Sequence, residues 1–215
     1  MPGLLWLTYF YRKDRFEPEP KSLVLKLFAG GMLMVIPAGF LERFWRAPLT
    51  EARMSGDIVS LFFLSLFMIG LIEEGVKMLL LGLAIYPNPE LDEPVDGIVY
   101  GVTVGLGFAA VENLFYTWAL GYTVGIVRAI VGCLAHASFT GWGGSYLCRA
   151  KKSQRPWLFL TLGLAVAILW HGLYDFLLFT GNSYLSFAAF LMVGLLIFRL
   201  LDKMKAMVNL SPFRK

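Results

Sequence analysis

Residues 57–86 read DIVSLFFLSLFMIGLIEEGVKMLLLGLAIY, and between Ile58 and Ile85 the only charges are Glu73, Glu74 and Lys77, at the middle of the run. At about 1.5 Å of helical rise per residue the stretch exceeds the roughly 30 Å hydrocarbon core of a bilayer. It is continuous rather than alternating, which selects a transmembrane helix over a barrel strand. An ionisable side chain at such a depth costs about 2.5–3.5 kcal/mol on insertion scales, so it requires a partner or a function.

Five further runs have the same character: residues 22–41, 95–119, 122–148, 157–179 and 184–201. Hydrophobic residues make up 58% of the 215, charged residues only 16%, and mean hydropathy is +0.67, far from the roughly 25% charged of soluble domains. The expected fold is all-α: a polytopic bundle of six spans, preceded by a short apolar segment, MPGLLWLTYFY at residues 1–11, too short to cross alone. All polar connections are short, so residues 1–215 form one integral-membrane domain. Within it, 1–21 is a partial first helix with a juxtamembrane segment and 202–215 a basic cytoplasmic tail.

The excess of Lys and Arg lies in residues 11–21, 149–156 and from Arg199 onward, with four, four and five, against three in 42–56. The positive-inside rule places the first set, and the C-terminus, in the cytoplasm. The net charge of +4 is juxtamembrane and suits anionic lipid, giving no reason to invoke nucleic acid. Cys133 and Cys148 fall on one expected helix, about 22 Å apart, beyond disulfide reach.

With that orientation, Glu73, Glu74, Glu112, His136, His171 and Asp175 all lie about 18–27 Å from the cytoplasmic end of their helices. Four helices thus deliver ionisable groups, including the chain's only two histidines, to one slab. Lys77, three and four residues from the acids, shares their face. Gly97, Gly101 and Gly105 form a small-residue stripe for close helix packing. Glu112 is followed by Asn113, an amide with donor and acceptor capacity. His171 and Asp175, four apart, share a face, so the carboxylate can orient the ring. Arg128, nearer a helix end, either snorkels or pairs with an acid.

In the order and spacing of these motifs the chain resembles the PrsW family of intramembrane proteases, related to the CAAX-processing endopeptidases and bacteriocin-processing proteins. The resemblance is carried by YFYRKD at 9–14, EPEP at 17–20, Glu-Glu-x-x-Lys at 73–77, DGIVYG at 96–101, Gly107-Phe108-Ala109 with Glu112-Asn113, His136, and His-x-x-x-Asp at 171–175. It implies a glutamate-dependent hydrolase of the bacterial cell membrane that cleaves membrane-anchored proteins, including anti-sigma factors whose loss triggers a stress response. By the same resemblance Glu73, Glu74 and His171 are essential, with Glu112 and His136 alongside.

The expected chemistry is a water deprotonated by Glu73 or Glu74, with His171, oriented by Asp175, assisting the oxyanion or the leaving amine. His136 and Glu112 complete the catalytic set; Lys77, Asn113 and Asp175 support it. Neither Ser138 nor Cys133 stands at four-residue spacing from His136, and no covalent nucleophile is expected. No cofactor is expected on this reading. The alternative is a zinc enzyme in which His136, His171 and one glutamate bind the metal and a second glutamate is the base. A proton relay in a transporter, or a scaffold binding partner helices, uses the same residues without hydrolysis.

Overall fold

The computed structural model describes residues 2–214. Its helices are α1 (Pro2–Tyr11), α2 (Lys21–Glu42), α3 (Arg46–Ser55), α4 (Ile58–Leu64), α5 (Leu71–Ala84), α6 (Asp96–Leu120), α7 (Tyr122–Gly144), α8 (Leu147–Lys152), α9 (Pro156–Phe179) and α10 (Ser183–Val208). Six helical stretches are long and apolar enough to cross a membrane, and no strand occurs among the described residues. The all-α polytopic bundle expected from the sequence is the fold observed. One of the crossings is composite: α4 and α5 are joined without a break by a π-helical segment, Ser65–Gly70.

Helix α6 is the central post. In it 72% of the apolar window is buried, against 28% for α2 and α9 and 22% for α10. Its closest neighbour is α7, and the glycine stripe explains why. A Cβ on Gly97 would strike the Gly144 carbonyl, one on Gly101 the Thr140 carbonyl, and one on Gly105 the His136 carbonyl. Both helices step by four residues, so their backbones touch along three turns, and His136 is held at a set height against α6. Gly107 on another face of α6 admits the backbone of α2 at Phe28 in the same way.

Asp57 caps α4 by accepting from the Ser60 amide at 3.1 Å, and Asn182 caps α10 through the Tyr184 and Leu185 amides. The tight turns α6–α7 and α9–α10 each rest on a glycine at positive φ, Gly121 at 90° and Gly181 at 68°. Exposed Trp118, Tyr122 and Tyr184 surround these turns, and Trp157 lies at the opposite end of α9, the placing of aromatic residues at the two membrane interfaces. The N-terminal apolar segment is a short helix, α1, with Leu7 and Phe10 buried and Gly3 packed near the Leu106 carbonyl of α6. Helix α10 runs to Val208, so residues 202–208 are helical. The expected helix 122–148 is broken: Cys133 lies on α7 and Cys148 on α8, both buried and unpaired.

Candidate active site

Glu73 and Glu74 occupy the first turn of α5, immediately after the π-helical segment. That segment lies backbone to backbone on α9: a Cβ on Gly70 would come within 2.9 Å of the Ile168 carbonyl oxygen and 3.0 Å of the Gly172 nitrogen. Short π insertions shift helical phase and recur at functional sites. Here the insertion brings the acids against His171, the residue before Gly172.

All the polar residues singled out in the spans converge. Lys77 Nζ donates to Glu74 Oε1 at 2.8 Å and to Glu73 Oε2 at 3.2 Å, and lies 3.0 Å from His136 Nδ1 and 4.0 Å above the Phe108 ring. Glu74 has no free corner: besides Lys77 it accepts from Thr140 Oγ1 at 2.8 Å and contacts His171 Nδ1 at 2.8 Å. Glu112 Oε2 meets His136 Nε2 at 2.8 Å and Arg128 Nη2 at 2.7 Å. Asn113 ties the far side, accepting from Arg128 Nε and donating to the Arg128 carbonyl, both at 3.1 Å. The two imidazole rings stand perpendicular with centroids 5.0 Å apart, and Phe139 stacks on His171.

Each histidine is tied to a carboxylate at one nitrogen; the other nitrogen of His171 makes no hydrogen bond among the described residues, while that of His136 lies 3.0 Å from Lys77 Nζ. His136 gives Nε2 to Glu112 and turns Nδ1 toward Glu73 Oε2, 3.9 Å away. His171 gives Nδ1 to Glu74 and turns Nε2 toward the same oxygen, 3.7 Å away. Glu73, His136 and His171 each offer one ligand atom, all within 4.8 Å of one another and all buried. In tetrahedral zinc sites with bonds of about 2.0–2.1 Å, ligand atoms lie roughly 3.4 Å apart. The separations of the ring nitrogens from Glu73 Oε2, 3.9 and 3.7 Å, are a few tenths of an ångström wider. A carboxylate on the outer nitrogen of each ligating histidine is also the usual support of such sites. The donor types and their spacing fit a zinc ion, and Lys77, in contact with Glu73 Oε2 and His136 Nδ1, would have to release both for the ion to bind.

Arg128 pairs with Glu112 and stacks on Tyr116, 3.6 Å from the ring centroid, rather than snorkelling. Asp175 Oδ2 lies 3.4 Å from His171 Nε2, and Glu74 makes a shorter contact, 2.8 Å, at Nδ1. Two residues were not legible beforehand. Thr140 sits four residues after His136, a spacing that places it on the histidine's face. Glu42, the last residue of α2, brings a carboxylate against Glu73 with its Oε1 buried and unpartnered; at the end of an apolar run it resembles any interfacial acid. Glu112, Arg128 and Asp175 side chains are 15–16% exposed while Glu73, Glu74 and Lys77 are at 0–6%, so the accessible flank is on the Glu112–Asp175 side.

A family model for PrsW family intramembrane metalloproteases matches residues 19–201. This chain belongs to the PrsW family. Protease PrsW of Bacillus subtilis (strain 168) is 36% identical over 209 residues, covering 95% of this chain and 92% of that protein. Protease PrsW of Geobacillus kaustophilus is 36% identical over 90% of the chain and 84% of its own length. Protease PrsW of Clostridioides difficile is 32% identical over 83% and 76%. No solved structure matches the chain. As a PrsW-family member with six apolar helices, the protein is a multi-pass bacterial membrane protease, and its substrate is a protein embedded in the bilayer. The expectation that the site works without a cofactor finds no support; the family's description as metalloproteases fits the zinc alternative.

Proposed function

We propose that this PrsW-family protein is a zinc-dependent intramembrane endopeptidase in which Glu73, His136 and His171 hold the metal. The observation that carries this reading is the convergence of one ring nitrogen from each histidine, the one turned away from its carboxylate partner, on one Glu73 oxygen. Zinc bound there would supply Lewis acidity, polarising the scissile carbonyl and acidifying a water. Glu74 and Glu112 hold the rings in the required tautomers, each accepting the proton of the outer nitrogen. Lys77, with no exposed surface, balances the carboxylates. Both oxygens of Glu74 and Oε2 of Glu112 are engaged, while no hydrogen bond engages Asp175 among the described residues. Asp175, on the accessible flank, is the group proposed to take the proton from water and return it to the leaving amine.

One observation favours a second, metal-free reading. The Nδ1 lone pair of His136 is used by Lys77 at 3.0 Å, and the same lone pair cannot also bind a metal. On that reading Glu73 is the general base. The substrate is proposed to be a single-span regulatory protein, an anti-sigma factor, as the family resemblance implies. Co-expression with tagged single-span candidates, read as a truncated product, tests the activity. Metal analysis of the purified protein and inhibition by a zinc chelator separate the readings. Stoichiometric zinc with chelator-sensitive cleavage is expected; full activity in zinc-free protein leaves only the Glu73-base version.

A further inference from the structure

The motifs at 9–20 and 96–101 play no part in the site above, yet they meet at the basic end of the bundle. Asp14, Glu19 and Asp96 each present a carboxylate oxygen, all within 4.8 Å of one another and all buried. Glu93 stands beside them, and its other oxygen accepts from Ser211 Oγ of the C-terminal segment. Along α6, Asp96 is sixteen residues from Glu112, about 24 Å at 1.5 Å per residue, so this is a separate place in the protein.

Four acids gathered out of water call for compensation, and little is visible from the chain itself. Among the described residues no ion pair reaches Asp14, Glu19, Glu93 or Asp96. Asp14 is 3% exposed, and neither of its oxygens has a hydrogen-bond partner; Asp96 Oδ1 and Glu93 Oε2 are also orphaned. The rest of the cluster is firmly placed. Asp96 Oδ2 accepts the Asp92 and Glu93 amides at 2.9 and 2.6 Å, Tyr100 donates its hydroxyl to Glu19 Oε2, and Tyr11 donates to the Glu19 carbonyl at 2.8 Å. Orphaned, buried oxygens held on a rigid frame are what a cation site lacks only its ion to complete.

We propose that Asp14, Glu19 and Asp96 form a binding site for a hard divalent cation, of the Ca2+, Mg2+ or Mn2+ class, which ties the segment between α1 and α2 to the first turn of α6. An all-oxygen, carboxylate donor set selects that class over zinc. Oxygens within 4.8 Å of one another can be bridged by an ion with Ca–O bonds of about 2.4 Å. The ion is structural: no protease residue touches it.

The test uses the full-length protein in detergent, stripped of metal and titrated with Tb3+ as a hard-cation probe, with emission excited through the aromatic residues; Tyr100 and Tyr11 adjoin the site. Saturable emission is expected, displaced by Ca2+, Mg2+ or Mn2+, whichever binds best identifying the natural ion. It should persist in Glu73→Gln, which alters the protease corner only, and weaken by at least about tenfold, the scale seen even for outer-shell partners, in Asp14→Asn and Glu19→Gln. Digestion between Tyr11 and Lys21 by a soluble protease should slow when the displacing cation is added. No saturable emission in the wild type, no displacement by any of the three ions, loss in Glu73→Gln, or undiminished binding in Asp14→Asn overturns the proposal and leaves the acids to be held by shared protons.

Discussion

At the scale of single residues, Glu73 and Glu74 are adjacent in sequence but unequal in surroundings. Glu74 is the hub of a dry network joining α5, α7 and α9, so Glu74→Ala takes from buried Lys77 its shortest carboxylate contact and from His171 its only hydrogen bond among the described residues. The expected loss is about 3–5 kcal/mol, the size found when one member of a buried ion pair is removed. Glu74→Leu combined with Lys77→Met should recover much of that stability and no cleavage; unfolding in detergent alongside a cleavage assay checks both. Glu73→Gln preserves shape and should retain the thermal midpoint while abolishing cleavage. Glu112→Gln replaces the acceptor behind His136, and should weaken zinc binding by about 10–100-fold, measured by competition with a chromophoric chelator. An unchanged zinc affinity would remove Glu112 from its assigned role. The sequence named these residues because helical spacing and depth are readable from it. It could not apportion their roles, since the orienting partner of His171 lies 97 positions away while the nearer candidate, Asp175, shares its helix.

At the scale of elements, two devices set the geometry, and only one was legible. The stripe Gly97, Gly101, Gly105 was visible as a four-residue repeat, and it fixes α6 on α7. Gly101→Leu should therefore separate the helices, shift His136 and abolish cleavage. Overpacking of this kind typically costs about 1–3 kcal/mol. Gly194→Leu is the matched control, because nothing lies within 4 Å of a Cβ there, and it should behave as wild type in both unfolding and cleavage. The π-helical segment before Glu73 had no sequence signature: an i→i+5 turn is enforced by packing of Gly70 and Gly172 across two helices, not by local preference. Gly70→Ala, which pushes directly on α9, should lower cleavage far more than it lowers the thermal midpoint. Equal losses in both would show that the insertion serves packing rather than placement of the acids. Glu42 escaped for a related reason, since its closeness to Glu73 is a product of how α2 leans on the bundle.

At the scale of the whole molecule, the remaining question is which face of the membrane carries which site. The segments between α1 and α2, between α7 and α9, and after Arg199 all lie at one end of the bundle, because an even number of crossings separates them. Together they hold most of the Lys and Arg. Each such residue near an anionic leaflet is worth about 1 kcal/mol, so the asymmetry is proposed to place that end, with the Asp14–Glu19–Asp96 cluster and the C-terminus, in the cytoplasm. The protease corner then lies beyond the bilayer midplane, with its accessible flank of Glu112, Arg128 and Asp175 toward the outer leaflet, and cleavage is expected in the outer half of a substrate span. A fluorescent-protein fusion after Lys215 should glow in intact cells and an alkaline phosphatase fusion at the same point should be inactive, whereas phosphatase inserted at Gly181 should be active. The reverse pattern would put the cluster outside. The cut site of any identified substrate would then fall in the inner half of its span, where product mapping by mass spectrometry would find it.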